Sequence, residues 1–394
     1  MFASLSNRPG AASLSHGKLC LVTACVAATV LIACMAAHSA QAPATQDKDG
    51  PVWIDGSPRD KSQQVDPFSQ SLAAILTSAG HPTRWETVMG DSGMAFVMQA
   101  SEVAPLYGPD GKKVGVAPKD LGKVVGRRDV GWWPLASECE PTYVEFVGRA
   151  AGRELRVLGA ADYRGPEDLK ARYKKMHGDL VASIKGGRPI AVRGRCQCGG
   201  CFWSVAVGYD GGDPALWSLC PLAGPGKQAK RMPHHPGFAV VVGDKIKPMD
   251  RRLADRAALQ HAVALARDEV KMPNDYRTGQ RAYALWASEL RQLDPPGQAR
   301  WHANVIYNLG GRRRAAVTYL EGMSRRHDGA TRSHLLGAVK LYREVLGVLK
   351  TADAGREALT SAKGREALAK LAERLAEIEA KAAAKLEKAA AAIR

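Results

Sequence analysis

Short apolar runs that are typical of β-strands recur between residues 155 and 242. Two of them, residues 202–207 and 216–220, flank the sequence D-G-G-D at 210–213. Because glycine adopts the positive φ angles that a tight return requires, this pattern predicts an antiparallel hairpin. Further strands are predicted at 155–158, 189–192 and 237–242. Together these runs predict the small sheet of an α+β domain.

Residues 66–80 carry the signals of a helix with both ends defined. Asp66 can accept hydrogen bonds from the amides of the first turn, and Pro67 suits the first helical position. Gly80 can adopt the left-handed conformation that ends a helix. Since its apolar residues recur on one face, the helix is expected to pack on the sheet. Other helices are predicted at 85–89, 141–151 and 166–184, and a strand or helix at 94–98.

After Leu253 the pattern becomes helical throughout, and no further strand is predicted. Gly310-Gly311 is expected to separate two of the helices. Apolar stripes such as Tyr283, Trp286 and Leu290 are more typical of core packing than of a cofactor site. The predicted helices lie at 253–271, 279–293, 298–309, 312–326, 332–350 and 364–393. The sequence thus predicts an α+β domain at 63–248, followed by an all-α domain at 249–394.

The N-terminal 33 residues resemble a secretion signal. Arg8 and Lys18 precede an uncharged apolar run at 19–33, which is the order found in such signals. Leu-Ile-Ala-Cys at 31–34 resembles a bacterial lipobox, in which Cys34 would be lipidated and anchor the chain to a membrane. Cleavage after Ala40 and an uncleaved membrane anchor are the alternatives. All three predict export, with residues 34–62 as a flexible tether.

Composition is that of a folded protein, and the charge is strongly basic. The 394 residues are 45% hydrophobic and 24% charged, enough for a full core, and the formal net charge is +17. From Arg251 onward 27 basic residues face 16 acidic ones, a net charge of +11. Such a surface favours phospholipid headgroups or envelope polymers, or it is a solvated helical surface with no ligand. No nucleic-acid partner is predicted, because aromatic residues do not interleave with the basic ones.

Three motifs resemble a known family when taken together. They are M-G-x-S-G-x-A-F at 89–96, G-R-P-I-A-V at 187–192 and W-S-V-A-V-G-Y-D at 203–210. They resemble a bacterial branch of the papain-like cysteine peptidase superfamily, near the bacteriocin-processing-peptidase-like proteins and, more distantly, the butirosin-biosynthesis acyltransferase. The resemblance covers about residues 50–245 and extends into the helical region through Tyr283-Ala284-Leu285-Trp286. It implies a papain-like domain, with helices packed on a small antiparallel sheet.

The residues that catalyse the reaction in that family are missing. Active members carry a cysteine at the start of the first helix, where the helix N-terminus lowers the thiol pKa, and a histidine at the start of the V-G-Y-D strand. Here the two places hold Asp66-Pro67 and Phe202-Trp203. No cysteine lies between Cys34 and Cys139, and no histidine between His177 and His234. We therefore predict no catalytic residue, and expect Asp66, Phe202 and Trp203 to line a former active-site cleft.

The cluster C-Q-C-G-G-C holds Cys196, Cys198 and Cys201, and it allows three interpretations. Because exported cysteines form disulfides by default, we favour structural bridges. Cys201 and Cys220 lie on either side of the predicted hairpin turn, nearly opposite each other, and Cys139 could bridge to Cys196 or Cys198.

A metal site and a redox pair are the alternatives for this cluster. Three thiolates with Cys220 could bind one zinc ion, but a second C-x-x-C pair is missing, so no metal is predicted. Redox chemistry through Cys198 and Cys201 would suit the start of a helix better than the start of a strand. No histidine follows Cys201, which excludes covalent haem attachment, and no cofactor is predicted.

These patterns favour one function among several. We expect an exported, catalytically inactive papain-like protein that binds a peptide or a cell-envelope component. The alternatives are an enzyme that uses Cys196, Cys198 and Cys201 in thiol redox or metal chemistry, and a degenerate peptidase or acyltransferase with residual activity. A further alternative is an envelope scaffold that acts through its basic helical region.

Overall fold

The computed structural model of the chain describes residues 52–53, 66–101, 141–158, 166–193, 203–210, 215–221, 229–232, 236, 238–272, 276–292, 299–354 and 356–394. The predicted signal segment and most of the predicted tether lie outside these ranges. The described residues all belong to one unit, residues 43–394.

An antiparallel sheet forms the centre of the first half of the chain. Its strands are β1 (Val52–Trp53), β3 (Arg153–Leu158), β4 (Ile190–Arg193), β5 (Trp203–Tyr209), β6 (Leu216–Leu219), β7 (Lys230–Arg231) and β8 (Phe238–Lys245). The main path through the sheet is β3-β8-β4-β5-β6-β7, and β1 pairs with the C-terminal end of β5. The five strands predicted between residues 155 and 242 are therefore confirmed, with small shifts at their ends.

The predicted hairpin is formed by β5 and β6. Val205 pairs with Leu219 and Tyr209 with Leu216, with a bulge between Ala206 and Gly208. All seven residues of β5 are buried, because the strand lies inside the sheet with helices packed against it. β1 pairs with β5 through Val52 opposite Tyr209, so two residues of the predicted tether belong to this sheet.

Four helices accompany the sheet: α1 (Pro67–Ser78), α2 (Trp85–Asp91), α3 (Pro141–Ala151) and α4 (Pro166–Lys185). In α1 the predicted cap is present, since Asp66 Oδ2 accepts a hydrogen bond of 2.8 Å from the backbone N–H of Ser69. Gly80 ends the helix with a φ of +80°. Phe68, Leu72, Ile75 and Leu76 are all buried, as expected for a helix packed on the sheet.

Residues 94–98 correct one expectation. They form turns and irregular backbone, and the strand begins at Gln99, where β2 (Gln99–Ser101) pairs antiparallel with β9 (Tyr276–Thr278). The expectation that no strand follows Leu253 was therefore wrong as well. A strand of three residues is too short to show an alternating pattern, and its partner lies far away in the sequence.

The C-terminal region is helical, as predicted. Its helices are α5 (Arg251–Ala266), α6 (Gly279–Gln292), α7 (Ala299–Ser324), α8 (Gly329–Ala354) and α9 (Ala362–Ala392), with a 3-10 turn at Arg356–Thr360. The expected break at Gly310-Gly311 is absent, because α7 runs through it. Two interior glycines cost a helix about 2 kcal/mol. Burial of the apolar residues Leu309, Ala315 and Ala316 on both sides of the pair offsets this cost.

One apolar core joins the sheet region and the helical region. It includes Phe96 from the first half, which contacts Tyr319 and Tyr342 with ring centroids 6.1 and 5.9 Å apart. The chain is therefore an α+β protein with antiparallel sheets and a helical C-terminal region. The predicted boundary at residue 248 stays a prediction. In the described ranges, no helix has both the length and the apolar character needed to span a bilayer.

Candidate functional site

Asp66 occupies the helix start at which the family resemblance would place a nucleophile. Its carboxylate caps α1, and only 9% of the residue is exposed. Burial raises the pKa of Asp66 above its usual value, although hydrogen bonds from Ser69 and the charge of Arg312 oppose the rise. The carboxyl group of Asp66 thus serves as the N-terminal cap of α1.

Trp203 lies in the core at the start of β5. It is 2% exposed, and its ring contacts that of Phe68 on α1, with centroids 4.7 Å apart. Phe202 lies outside the described residues. That Phe202 lines a former active-site cleft therefore stays a prediction. The ring of Trp203 is covered by α1.

Of the predicted cysteine sites, only Cys220 is described, and it is half-buried just after β6. Cys34, Cys139, Cys196, Cys198 and Cys201 lie outside the described residues. If the β5–β6 register is extended by one pair, Ser204 lies opposite Cys220. Ser204 is three positions after Cys201 in the sequence. The disulfides stay predictions, and the described residues contain no group of His, Cys, Asp and Glu suited to a metal.

A pocket of about 260 Å³ opens between α2, α3 and the start of α5. Its walls combine polar residues of the loop before α2 with small apolar residues of α3, and its charged residues are Arg84, Asp91 and Arg251. The lining residues are His81, Pro82, Thr83, Arg84, Thr87, Val88, Asp91, Val147, Ala150, Ala151 and Arg251.

The loop on one side of the pocket is held in place by hydrogen bonds. Thr83 donates its backbone N–H to Thr77 Oγ1 at 3.2 Å, and its own hydroxyl donates to the carbonyl of His81 at 2.9 Å. The guanidinium of Arg153 donates to the carbonyl of Ala79 just before it. Burial, together with the charge of Arg153, lowers the pKa of His81, so its ring is neutral near pH 7. The loop thus presents a neutral imidazole in a fixed setting.

Arg251 and Asp91 form the charged part of the wall. Arg251 Nη2 donates to Asp91 Oδ1 at 2.7 Å, and Nη1 donates to Oδ2 at 3.2 Å, so the two side chains form a bidentate ion pair. Tyr319 donates its hydroxyl to the same Oδ1 at 2.6 Å. Burial alone would lower the pKa of Arg251, but the hydrogen bond and charge of Asp91 raise it. Arg251 is therefore held in its charged form, in a fixed position beside Asp91.

Asp255 extends this network away from the pocket. It accepts hydrogen bonds from Arg251 Nε at 2.8 Å and from Arg326 Nη2 at 2.9 Å. His327 Nε2 lies 2.9 Å from its other oxygen. Burial would raise the pKa of Asp255, but the hydrogen bonds and charges of Arg326 and Arg251 lower it overall. Both carboxylates of the network are thus occupied by hydrogen bonds from neighbouring side chains.

The arrangement suits binding more than catalysis. Arg251 is neutralised by Asp91 and Asp255, and Arg84 pairs with Glu86 at 2.6 Å. The pocket is therefore not expected to attract a charged ligand strongly. It offers hydrogen-bonding groups beside an apolar wall. Such a lining matches an uncharged polar group.

The pocket was not predicted from the sequence. Its residues come from three separate parts of the chain, and Asp91 alone belongs to a motif, as a variable position of M-G-x-S-G-x-A-F. An Asp–Arg ion pair whose members lie 160 residues apart leaves no local pattern in the sequence. The comparisons add no assignment: the sequence matches none of the protein-family models scanned, and the search of curated proteins found no significant match.

Proposed function

We propose that this chain is an exported, lipid-anchored binding protein with a papain-like domain that lacks its nucleophile. The lipobox-like sequence ending in Cys34 supports the anchor, with ordinary cleavage as the alternative. The structural role of Asp66 at the start of α1 supports the loss of catalysis. The ligand is a peptide or another cell-envelope component.

The pocket between α2 and α3 is the observation that carries this proposal. Its volume of about 260 Å³ is slightly below the range of about 300–1,000 Å³ found for sites that enclose a drug-sized ligand. It therefore accepts one side chain or one ring, not an extended polymer. The neutral His81 and the hydroxyl groups of Thr83 and Thr87 in its lining favour an amide or hydroxyl group on that ligand.

Filling the pocket tests the proposal. Ala150→Phe places a ring in the cavity, and Ala284→Phe adds the same ring on the exposed side of α6 as a matched control. The probes are soluble peptides released from purified peptidoglycan and short synthetic peptides with amide or hydroxyl side chains. Binding is measured by calorimetry and native mass spectrometry, and both variants are checked for an unchanged melting temperature.

Ala150→Phe is expected to weaken binding at least ten-fold, or about 1.4 kcal/mol, while Ala284→Phe leaves it unchanged. Equal binding by the two variants, or binding by neither them nor the parent chain, would refute the proposal. So would labelling by a cysteine-reactive activity probe that one cysteine substitution abolishes. That result would favour the enzymatic alternatives.

A further inference from the structure

One side of α9 carries a continuous row of positive charge, here called the basic stripe. At 100° per residue, its members fall within about 60° of the helix circumference. All of them are exposed. The basic stripe consists of Lys363, Lys370, Arg374, Lys381, Lys385 and Lys388.

The acidic residues of α9 are mostly kept away from this stripe. Glu366 and Glu373 lie to one side of it and both pair with Arg291 of α6, at 2.8 Å each. Glu366 also lies 4.0 Å from Lys370 of the stripe. Glu387 pairs with Arg267, just after α5, at 2.7 Å. Glu377 lies about 20° beyond the edge of this arc, and with it included, six basic side chains against one acidic give a net charge of +5. The separation of charge follows from the packing of α9 on its neighbours.

The opposite side of α9 is buried. Leu368, Leu375 and Leu386 lie in the core that α9 shares with α5, α6 and α8. Only one side of the helix therefore faces solvent, and that side carries the basic stripe.

The neighbouring side of α8 continues this surface. The Lys385 side chain lies over α8 at Gly337, where an added Cβ would be 3.4 Å from Lys385 Cδ. Lys340 is exposed on α8, and Leu336 is 43% exposed beside it. Glu344 of α8 lies 3.6 Å from Arg374 of the stripe. The two side-by-side helices thus present a face of net positive charge with an apolar residue within it.

We propose that the basic stripe and the adjoining face of α8 adsorb to an anionic phospholipid surface. The stripe spans 26 residues, or about 38 Å at the helical rise, so its charges can contact many headgroups at once. Long lysine side chains reach a negatively charged leaflet, and each gains about 1 kcal/mol there, a five-fold change in partitioning. The stripe contains no aromatic residue to stack on the bases of a single-stranded nucleic acid.

This inference does not depend on the pocket. It fits a chain that is tethered to a membrane at one end, because a basic surface on the folded part supplies a second contact with the same membrane. Loss of ligand binding at the pocket would leave the proposed membrane contact unaffected.

The test compares two triple variants of the full chain with the same change in charge. The first is Lys381→Gln, Lys385→Gln and Lys388→Gln within the basic stripe. The control is Lys230→Gln, Lys245→Gln and Lys247→Gln, three exposed lysines of the sheet region. Binding is measured by vesicle sedimentation, on phosphatidylcholine alone and on phosphatidylcholine mixed with phosphatidylglycerol. Soluble heparin provides a linear polyanion for comparison.

The parent chain is expected to bind mixed vesicles more tightly than neutral ones, and to lose that excess between about 0.1 M and 1 M salt. Removal of three stripe charges should weaken binding to mixed vesicles about 100-fold, and the control triple should weaken it less than ten-fold. Equal losses in the two triples would overturn the proposal, as would equal binding of the parent to both vesicle types. Stripe-dependent binding to heparin without binding to mixed vesicles would assign the face to a linear polymer instead. Unchanged melting temperatures verify folding.

Discussion

Tyr319 on α7 donates a 2.6 Å hydrogen bond to Asp91 at the end of α2, across 228 residues of sequence. The two side chains join the M-G-x-S-G-x-A-F segment to the helical region and stand next to the ligand pocket that we propose. Both are buried, and Arg251 completes the group. Their contact makes the sheet region and the helical region depend on each other for stability.

Gly90→Ala should disrupt this contact. An added Cβ would lie 2.2 Å from two ring atoms of Tyr319, so the ring would have to move and its hydrogen bond to Asp91 would break. Overpacking together with a lost buried hydrogen bond predicts a loss of about 2–4 kcal/mol in the free energy of unfolding. Chemical denaturation measures it.

Gly347→Ala is the matched control for this substitution. Gly347 lies in α8 with no atom within 4 Å of an added Cβ. The same change should therefore stabilise the chain by about 0.5–1 kcal/mol. Two variants of equal stability would contradict the packing of Tyr319 against Gly90.

Removing one partner of the buried pair Arg313–Glu379 should be costly. Arg313 is 0% exposed, and it donates to both oxygens of Glu379 and to the carbonyl of Ala95 at 2.9 Å. Glu379→Leu would leave the guanidinium buried without a countercharge, which costs about 3–5 kcal/mol. The double variant Arg313→Met with Glu379→Leu should lose less than the single variant. A larger loss in the double variant would show that the Arg313 contacts to backbone carbonyls dominate.

His261 predicts how stability depends on pH. Burial lowers the pKa of His261 to about 4, and its Nε2 has no hydrogen-bond partner among the described residues. The unfolded chain, with the usual pKa near 6.5, therefore binds a proton that the folded chain excludes between pH 4 and 6.5. Above pH 6.5 this histidine therefore does not affect the free energy of unfolding. As the pH falls from 6.5 to 4, the free energy of unfolding decreases by up to about 3 kcal/mol.

His261→Phe should remove this part of the pH dependence, as seen in melting temperatures measured from pH 7 to 4. The ring of His261 lies 4.8 Å from that of Tyr143, so an aromatic replacement keeps the contact. His81→Gln is a useful comparison, because the pKa of His81 is also lowered and acts in the same direction. An unchanged slope in the His261 variant would refute the assignment.

Substitution of Asp66 separates its capping role from its charge. Asp66→Ala removes the acceptor for the Ser69 amide and should cost about 0.5–2 kcal/mol. Asp66→Asn keeps an acceptor and avoids an ionised group whose pKa burial raises, so at pH 7 it should be at least as stable as the parent. An Asn variant as unstable as the Ala variant would show that the charge, acting with Arg312, matters more than the cap.

The cysteines give a covalent prediction. We expect two disulfides and one remaining thiol among Cys139, Cys196, Cys198, Cys201 and Cys220, with no bound zinc. Peptide mapping by mass spectrometry under non-reducing conditions measures the pairing, and native mass spectrometry the metal. A readily reduced Cys198–Cys201 pair would favour redox chemistry, and a stoichiometric zinc ion would favour a metal site.

The sequence by itself determined the local elements. Three local features depend only on residues close together in the sequence and could therefore be predicted from it. They are the helix cap at Asp66, the helix end at Gly80 and the β5–β6 hairpin. The same holds for the α9 stripe, because helical periodicity alone places its six basic residues on one side.

Only the tertiary structure decided which of these elements meet. It carries α7 through Gly310-Gly311, pairs β2 with β9 and buries Arg313, a residue type that composition assigns to the surface. It also creates the pocket from Asp91, Arg251 and α3. The physical reason is that a buried ion pair or a shared core is stabilised by partners far apart in the chain, and such partners leave no periodic trace in the sequence.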